Sequence, residues 1–200
     1  MFTPMADVVR TRIGPDARLP TRRTLDERLF VRWPGVYAAL SRAVLRLPPR
    51  SRVRRALLRR NVLSGWAAWA RGDLDLMLVR YARNCNVKLM RELVAAGMRD
   101  SYDGHAGARE VAADLREAWE GMDLVPQEIV DGGDVLVVLG RFHPRAGGSG
   151  IEFDTPAGQV LRVERGLIVR DRFFNSWDEA LRVAGIPAAA VGGAQRETPV

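Results

Sequence analysis

The chain has 200 residues, 47% of them hydrophobic and 28% charged, and a formal net charge of +7. These values are typical of a soluble globular domain and exclude a chain that is disordered throughout. The apolar stretches are far shorter than the ~20 residues of a transmembrane helix, and residues 1–10 lack the apolar block of a secretory signal. The single Cys85 excludes an internal disulfide, so we expect a cytoplasmic protein.

The positive charge is concentrated near the N-terminus. Residues 1–60 contain 15 Arg and four carboxylates, whereas residues 61–200 carry net negative charge. Eight Arg alternate with Leu and Val in an Arg-rich segment: Arg42, Arg46, Arg50, Arg52, Arg54, Arg55, Arg59 and Arg60. Three interpretations stay open for this segment: a solvated helix face, a surface that rests on anionic lipid, and a nucleic-acid patch. Nucleic acid is least favoured, because only Trp33 and Tyr37 offer nearby rings for base stacking.

The first predicted elements are short helices. Residues 1–23 contain Pro and Gly without a sustained period, which predicts a flexible lead-in. Thr24 and Glu27 have the spacing of a capping box and predict a helix that ends near Pro34. Pro34 suits a first helical turn, so a second helix is expected from there to about Leu47.

Further helices follow from apolar spacing. Apolar residues at three- and four-residue intervals predict a third helix over residues 51–71. Asp73 caps a shorter helix with one apolar stripe: Leu74, Met77, Leu78 and Tyr81. Residues 87–93 alternate weakly and predict a strand, and residues 108–120 predict another helix.

The apolar period then changes to two. Four strands are predicted over residues 125–130, 135–143, 151–163 and 167–174, joined by Gly-containing turns. Because these connections are hairpin-sized, we expect an antiparallel sheet. Ser176 opens a last helix, and residues 188–200 predict a flexible tail. Helices followed by antiparallel strands are typical of an α+β domain with helices on one face of a curved sheet.

Four short pieces occur in an order that resembles a known family. Residues 66–75 read WAAWARGDLD, residues 102–107 YDGHAG, residues 166–170 GLIVR and residues 178–181 DEAL. From about Arg54 to Ile186, their order and spacing resemble the nuclear transport factor 2-like (NTF2-like) superfamily, in its SnoaL-like branch of polyketide cyclase-like and ketosteroid isomerase-like proteins.

The resemblance implies a cone-shaped, curved antiparallel sheet with three helices packed against it, around an apolar pocket that needs no cofactor. It also implies a homodimer through the outer face of the sheet and a hydrophobic small molecule as ligand. The expected organisation is then a lead-in (1–23), a basic helical extension (24–50), a SnoaL-like cone domain (51–187) and a tail (188–200).

The chain lacks catalytic residues that two well-known enzymes of the superfamily use. The positions of the ketosteroid isomerase base, helix tyrosine and protonated aspartate fall at Leu89, near Gly65 and at Gln159. The last-strand aspartate of limonene epoxide hydrolase falls at Phe173. The resemblance therefore does not carry either reaction over to this chain.

One carboxyl group remains as a candidate base. If the last strand follows the pleat of the family, then Asp171, Phe173 and Asn175 face the pocket. An acid in an apolar cavity has a raised pKa, so Asp171 could remove a carbon-bound proton, with Gln159 polarising a carbonyl and Asn175 orienting the substrate. A register slip by one residue would instead leave Asp171 solvated beside Arg170 or Arg172.

The candidate substrate contacts are mainly apolar residues of the predicted pocket wall: Trp66, Trp69, Leu89, Trp119 and Phe173, with His143 at the mouth. Neither histidine has a partner at metal-ligand spacing, so no metal site is expected.

Two functions stay open for this chain. One is a cofactor-free cyclase or isomerase that uses Asp171. The other is a non-catalytic, dimeric ligand-binding module whose Arg-rich segment docks on a membrane or a partner.

Overall fold

The computed structural model describes residues 8–14, 19–146 and 154–187, with the backbone alone for residues 118–124 and 144–146. The helices are α1 (Leu25–Arg32), α2 (Pro34–Arg46), α3 (Arg52–Ala70), α4 (Leu74–Leu78), α5 (Arg91–Ala95), α6 (Gly104–Ala118) and α7 (Trp177–Val183). The strands are β1 (Val9–Arg12), β2 (Tyr81–Lys88), β3 (Ser101–Asp103), β4 (Trp119–Asp131), β5 (Val135–Ala146), β6 (Thr155–Glu164) and β7 (Leu167–Phe174). The predicted α+β class is confirmed.

All described strands belong to one sheet, in the order β1-β4-β5-β6-β7-β2-β3. Strands β4 to β7 form the predicted antiparallel run. Strand β2 departs from the prediction, because it pairs in parallel with β7, with Val87 opposite Asp171. A parallel neighbour needs a long crossover, and the chain between β2 and β7 provides it.

Three predicted segments differ from the structure. Residues 9–12, inside the predicted flexible lead-in, form β1 and pair with β4. Residues 91–95 are helical rather than part of a strand over 87–93. The helix predicted over residues 108–120 ends at Ala118, where β4 begins. Short apolar runs fit either a helix or a strand, so neighbours in space decide these segments.

The two faces of the sheet bury different helices. On β5, Leu136 and Val138 pack in a cluster with Leu58 and Val62 of α3. The alternate residues Val137 and Leu139 pack against α7 on the outer face. The chain's own α7 thus covers part of the face through which the resemblance implies dimerisation, and the homodimer stays a prediction.

Helix α2 is fixed closely against the sheet. Gly166, in the turn between β6 and β7, has φ +81, and a Cβ there would lie 2.3 Å from the carbonyl oxygen of Ala38. Only glycine accepts both this conformation and this close approach. The helical extension is therefore packed onto the cone domain.

One member of the Arg-rich segment is not on the surface. Arg54 is 1% exposed and forms an ion pair with Asp131 of β4. The expectation of a solvated helix face is therefore wrong for Arg54. Within the described ranges, no helix has both the length and the apolar character needed to cross a membrane.

Candidate functional site

A cavity lies between the inner face of the sheet and the helices α2, α3, α4 and α6. Its wall is mostly apolar and includes Trp66 and Trp69 of α3, Leu89 and Phe173. The centre of a water molecule can occupy about 130 Å³ of it, roughly ten times what one buried water needs. The cavity can therefore hold a molecule larger than water.

Asp171 is a carboxyl group in this wall. It lies on β7, is 1% exposed, and pairs across the sheet with the inner-face residue Leu161. Its Oδ2 accepts hydrogen bonds from the hydroxyl of Tyr81 at 2.5 Å and from Nε2 of Gln159 at 2.9 Å. Its Oδ1 is buried without a hydrogen-bond partner. The protein therefore holds Oδ2 by two hydrogen bonds, whereas Oδ1 receives none.

Burial controls the acidity of this group. Loss of hydration raises the pKa of Asp171 from 3.8 to about 7, although the hydrogen bonds from Tyr81 and Gln159 act in the opposite direction. Burial and the nearby carboxyl group also raise the pKa of the Tyr81 hydroxyl well above 10.0. Tyr81 therefore stays protonated as a donor, while Asp171 changes its charge near neutral pH.

A comparison with protein families decides the classification. The model described as "SnoaL-like domain" matches residues 63–171, more than half of the chain. The chain belongs to the SnoaL-like family. The match starts inside α3, so α1 and α2 precede it. The comparison with curated proteins gives no match.

Solved structures agree with the SnoaL-like fold. TerC, co-crystallised with polyporic acid, is 19% identical with a TM-score of 0.54, and the match covers 63% of this chain and 96% of TerC. An NTF2-like protein from Burkholderia thailandensis E264 is 26% identical with a TM-score of 0.51, and the match covers 64% of this chain and 96% of that protein. A third structure is a protein with a ketosteroid isomerase-like fold from Catenulispora acidiphila DSM 44928, in complex with trimethylamine. It is 19% identical with a TM-score of 0.50, and the match covers 64% of this chain and 94% of that protein. The cone-shaped fold implied by the sequence is confirmed.

The SnoaL-like cavity brings together several residues singled out from the sequence. Gln159, Asp171 and Phe173 share one face, and Phe173 meets Trp66 edge to face with ring centroids 6.4 Å apart. Trp69 and Leu89 also line the cavity. These contacts place the apolar wall and the carboxyl group in one space.

Three other candidates lie elsewhere or are not described. Strand β7 ends at Phe174, so Asn175 does not continue the pleat; it is exposed and donates to Glu92. The expectation that Asn175 faces the pocket is wrong. His143 is partly exposed, with Nδ1 3.4 Å from Asp154, and is not among the cavity-lining residues. The side chain of Trp119 lies outside the described part of the structure.

Sequence reasoning misses three contributions to the cavity. The apolar stripe places Tyr81 on the fourth predicted helix, but Tyr81 begins β2 and contacts Asp171. Arg80, just before it, also lines the cavity. Helix α2 contributes Tyr37, Ser41 and Leu45, although the sequence predicts an extension separate from the cone. No local pattern identifies these residues, because each reaches the cavity through a long-range contact.

The described residues offer neither a metal-binding cluster nor a reactive cysteine. Among the described residues, no set of three or more His, Cys, Asp or Glu side chains is placed to hold a metal ion. Cys85 is buried, and burial raises the pKa of its thiol to about 11. The thiol therefore stays protonated at neutral pH and is a poor nucleophile.

Proposed function

We propose that this domain binds a hydrophobic carbonyl compound and that Asp171 acts on it as a general base, in chemistry of the cyclase or isomerase type. The observation that supports the proposal is the unpartnered Oδ1 of Asp171, buried in the wall of an apolar cavity. A carboxylate there has a raised proton affinity, and the cavity that Asp171 lines can hold a molecule larger than water. Such a group is suited to proton transfer near neutral pH.

The proposed reaction begins with the Asp171 carboxylate taking a proton from the carbon next to a carbonyl group. The electron pair of the broken C–H bond moves into the carbonyl, which gives an enolate. Where a carbon–carbon double bond adjoins the deprotonated carbon, the enolate is extended over it and recovers the proton at its far end, as in an isomerase. Where the molecule has a second carbonyl group, the enolate carbon attacks it and the resulting alkoxide takes the proton, as in a cyclase. Asp171 returns the proton in both cases.

Tyr81 and Gln159 have a positioning role in this proposal. Both donate to Oδ2, which fixes the carboxyl plane and leaves Oδ1 without a hydrogen bond from the protein. One N–H of the Gln159 amide is used in this way, so carbonyl polarisation by Gln159 would depend on its second N–H.

The pH dependence of proton exchange tests the proposed base. We expect the domain to catalyse exchange of the methyl protons of methyl 2-naphthyl ketone with D2O, measured by NMR. The rate should rise with pH around a midpoint near 7, because only ionised Asp171 accepts a proton. A rate that equals the uncatalysed rate at every pH would contradict the proposal.

A second candidate function is docking of the N-terminal helices on an anionic membrane surface. Seven large apolar side chains are exposed on α1, at its junction with α2, on α2 and on α3, and we call them the exposed apolar face: Leu25, Leu29, Trp33, Val36, Leu40, Val53 and Leu57. Within each helix they are four residues apart, so the two on a given helix share one side of that helix. Arg42, Arg46 and Arg52 are exposed on the same helices.

The charge on these helices favours lipid as the occupant. Helices that carry both exposed apolar side chains and arginines have the composition of helices that lie in the plane of an anionic bilayer. Each basic residue near such a surface contributes about 1 kcal/mol. We therefore propose that this face rests on lipid, with the cone domain in water.

Vesicle co-sedimentation of the full chain tests this docking. We expect more binding to vesicles of phosphatidylcholine with phosphatidylserine than to phosphatidylcholine alone, and less binding at high salt, which screens the arginines. Leu29→Gln and Leu40→Gln should weaken the binding. Val183→Gln, at an exposed valine of α7, is the matched control. Equal sedimentation with and without vesicles would exclude lipid as the occupant of this face.

A further inference from the structure

A second charged side chain lines the cavity at a distinct position. Arg80 lies between α4 and β2 and is 5% exposed. Its Nη1 donates to the carbonyl oxygen of Leu76, and its Nη2 donates to the Ser64 hydroxyl at 2.7 Å. The guanidinium also lies over the ring of Tyr37, 5.6 Å from its centroid. Its third nitrogen, Nε, is buried and has no hydrogen-bond partner.

Gly65 leaves open space beside this nitrogen. A Cβ on Gly65 would lie 3.4 Å from Nε of Arg80 and 3.6 Å from its Cδ. Gly65 and Arg80 both line the cavity. Because Gly65 has no side chain, the protein places no atom of this residue in the space beside Nε.

The charge of Arg80 has no direct counterpart in the protein. Arg71 contacts Glu27 and Asp73, and Arg23 pairs with Asp73. Among the described residues, no carboxylate forms an ion pair with Arg80, which reaches Glu27 only through the Ser64 hydroxyl. An arginine cannot lose its proton in a protein, so Arg80 keeps a buried positive charge without a carboxylate in direct contact among the described residues.

We propose that Arg80 binds the anionic oxygen group of a hydrophobic ligand through its Nε, which defines the ligand class as aromatic or alicyclic acids. The inference rests on the proposed function in one respect: the cavity must take a hydrophobic molecule. Arg80 is held by α3 and α4, whereas Asp171 is held by β2 and β6. A ligand bound at Arg80 would therefore have one fixed end and present another part of its skeleton to Asp171.

Two probes of similar shape test this specificity. 2-Naphthoate carries a carboxylate where methyl 2-naphthyl ketone carries a neutral acetyl group. By isothermal titration calorimetry at pH 6, we expect the wild-type chain to bind naphthoate at least about tenfold more tightly, because charge-assisted hydrogen bonds in a dry site are strong. Arg80→Met should remove this preference and keep the affinity for the ketone. Arg83→Met, at an exposed arginine of β2, is the matched control and should keep the preference.

Gly65→Ala provides a second test that does not depend on removing a buried charge. The added methyl group fills the space beside Nε, so naphthoate affinity should fall about tenfold while the ketone is less affected. Alanine also favours a helix interior over glycine, so the melting temperature should not decrease. A variant at least as stable as wild type with a weaker naphthoate affinity separates ligand recognition from a purely structural role.

The outcomes distinguish this inference from the proposed function. If wild type binds both probes equally, the anion specificity is wrong but a hydrophobic ligand site remains. If neither probe binds, the ligand site itself is contradicted, and the anion specificity with it. If Arg80→Met fails to fold, the test uses Gly65→Ala instead. A smaller preference for naphthoate over the ketone in that variant supports the anion specificity, and an unchanged preference contradicts it.

Discussion

Replacing Asp171 by Asn is expected to lower the rate of ketone proton exchange by about 10²–10⁴-fold, the usual contribution of a general base. Asparagine keeps the size of the side chain and an oxygen that accepts from Tyr81 and Gln159, but it cannot take up the proton. The residual rate should lose its pH midpoint near 7, because that midpoint belongs to the Asp171 carboxyl group. NMR measurement of exchange for both proteins across the pH range gives the comparison.

The same substitution should stabilise the fold at pH 8. Between pH 3.8 and about 7, unfolded Asp171 has lost its proton while folded Asp171 keeps it. The free energy of unfolding of wild type therefore falls as pH rises through this window, by up to about 4 kcal/mol, and the Asp171→Asn variant has no such loss. Urea unfolding should show the variant more stable at pH 8, with the advantage disappearing near pH 4.

A matched control keeps the interpretation specific. Asp178→Asn changes an exposed carboxyl group in the first turn of α7 and should leave the exchange rate unchanged. If Asp171→Asn destabilises the chain equally at pH 4 and pH 8, the carboxyl group is a structural hydrogen-bond acceptor. If the Asp171→Asn variant keeps the full exchange rate, Asp171 is not the general base.

Replacing Arg54 by Met is expected to lower the free energy of unfolding by about 3–5 kcal/mol, the cost of breaking a buried ion pair. Nε and Nη2 of Arg54 each donate at 2.7 Å to a different carboxylate oxygen of Asp131. Nη1 donates to the carbonyl oxygens of Leu45 and Leu47 at the end of α2. Nη2 also donates to the carbonyl oxygen of Gly133, so removal of Arg54 leaves a buried carboxylate and three carbonyl groups without these partners. Urea unfolding at pH 7 measures the loss.

Two further variants separate the ion pair from the general effect of losing an arginine. Arg52→Met, at the exposed first residue of α3, should change stability by no more than about 0.5 kcal/mol. In Arg54→Met with Asp131→Leu, both charges are absent, so part of the stability should return. A loss below about 1 kcal/mol for Arg54→Met alone would contradict the buried-pair interpretation.

Several features of the fold were predictable because they depend on neighbours along the chain. The capping box of Thr24 and Glu27 marks the start of α1 as predicted, and Ser176 caps α7. The alternation in β5 follows the expected period of two, with successive residues packed on opposite faces. The order of short motifs pointed to the SnoaL-like family, and the family comparison confirms it.

The composition of the cavity wall was less predictable, because it depends on residues far apart in sequence. Arg80 and Tyr81 sit at the end of an apolar stripe that is typical of a helix, yet β2 begins there and pairs in parallel with β7. Helix α2 reaches the cavity because Gly166 allows a close approach of its backbone. Neither contact leaves a periodic signal.

By itself, the sequence determined the class of fold, the positions of most helices and strands, and the presence of one carboxyl group on the last strand. These follow from periodicity and capping, which act over a few residues. Only the tertiary structure decided which charges are buried: Arg54 pairs with Asp131, 77 residues away, while Arg80 and Asp171 each keep an unpartnered polar atom. Burial and pairing depend on the assembled surfaces, and the free energy of a charge is set by what surrounds it in space.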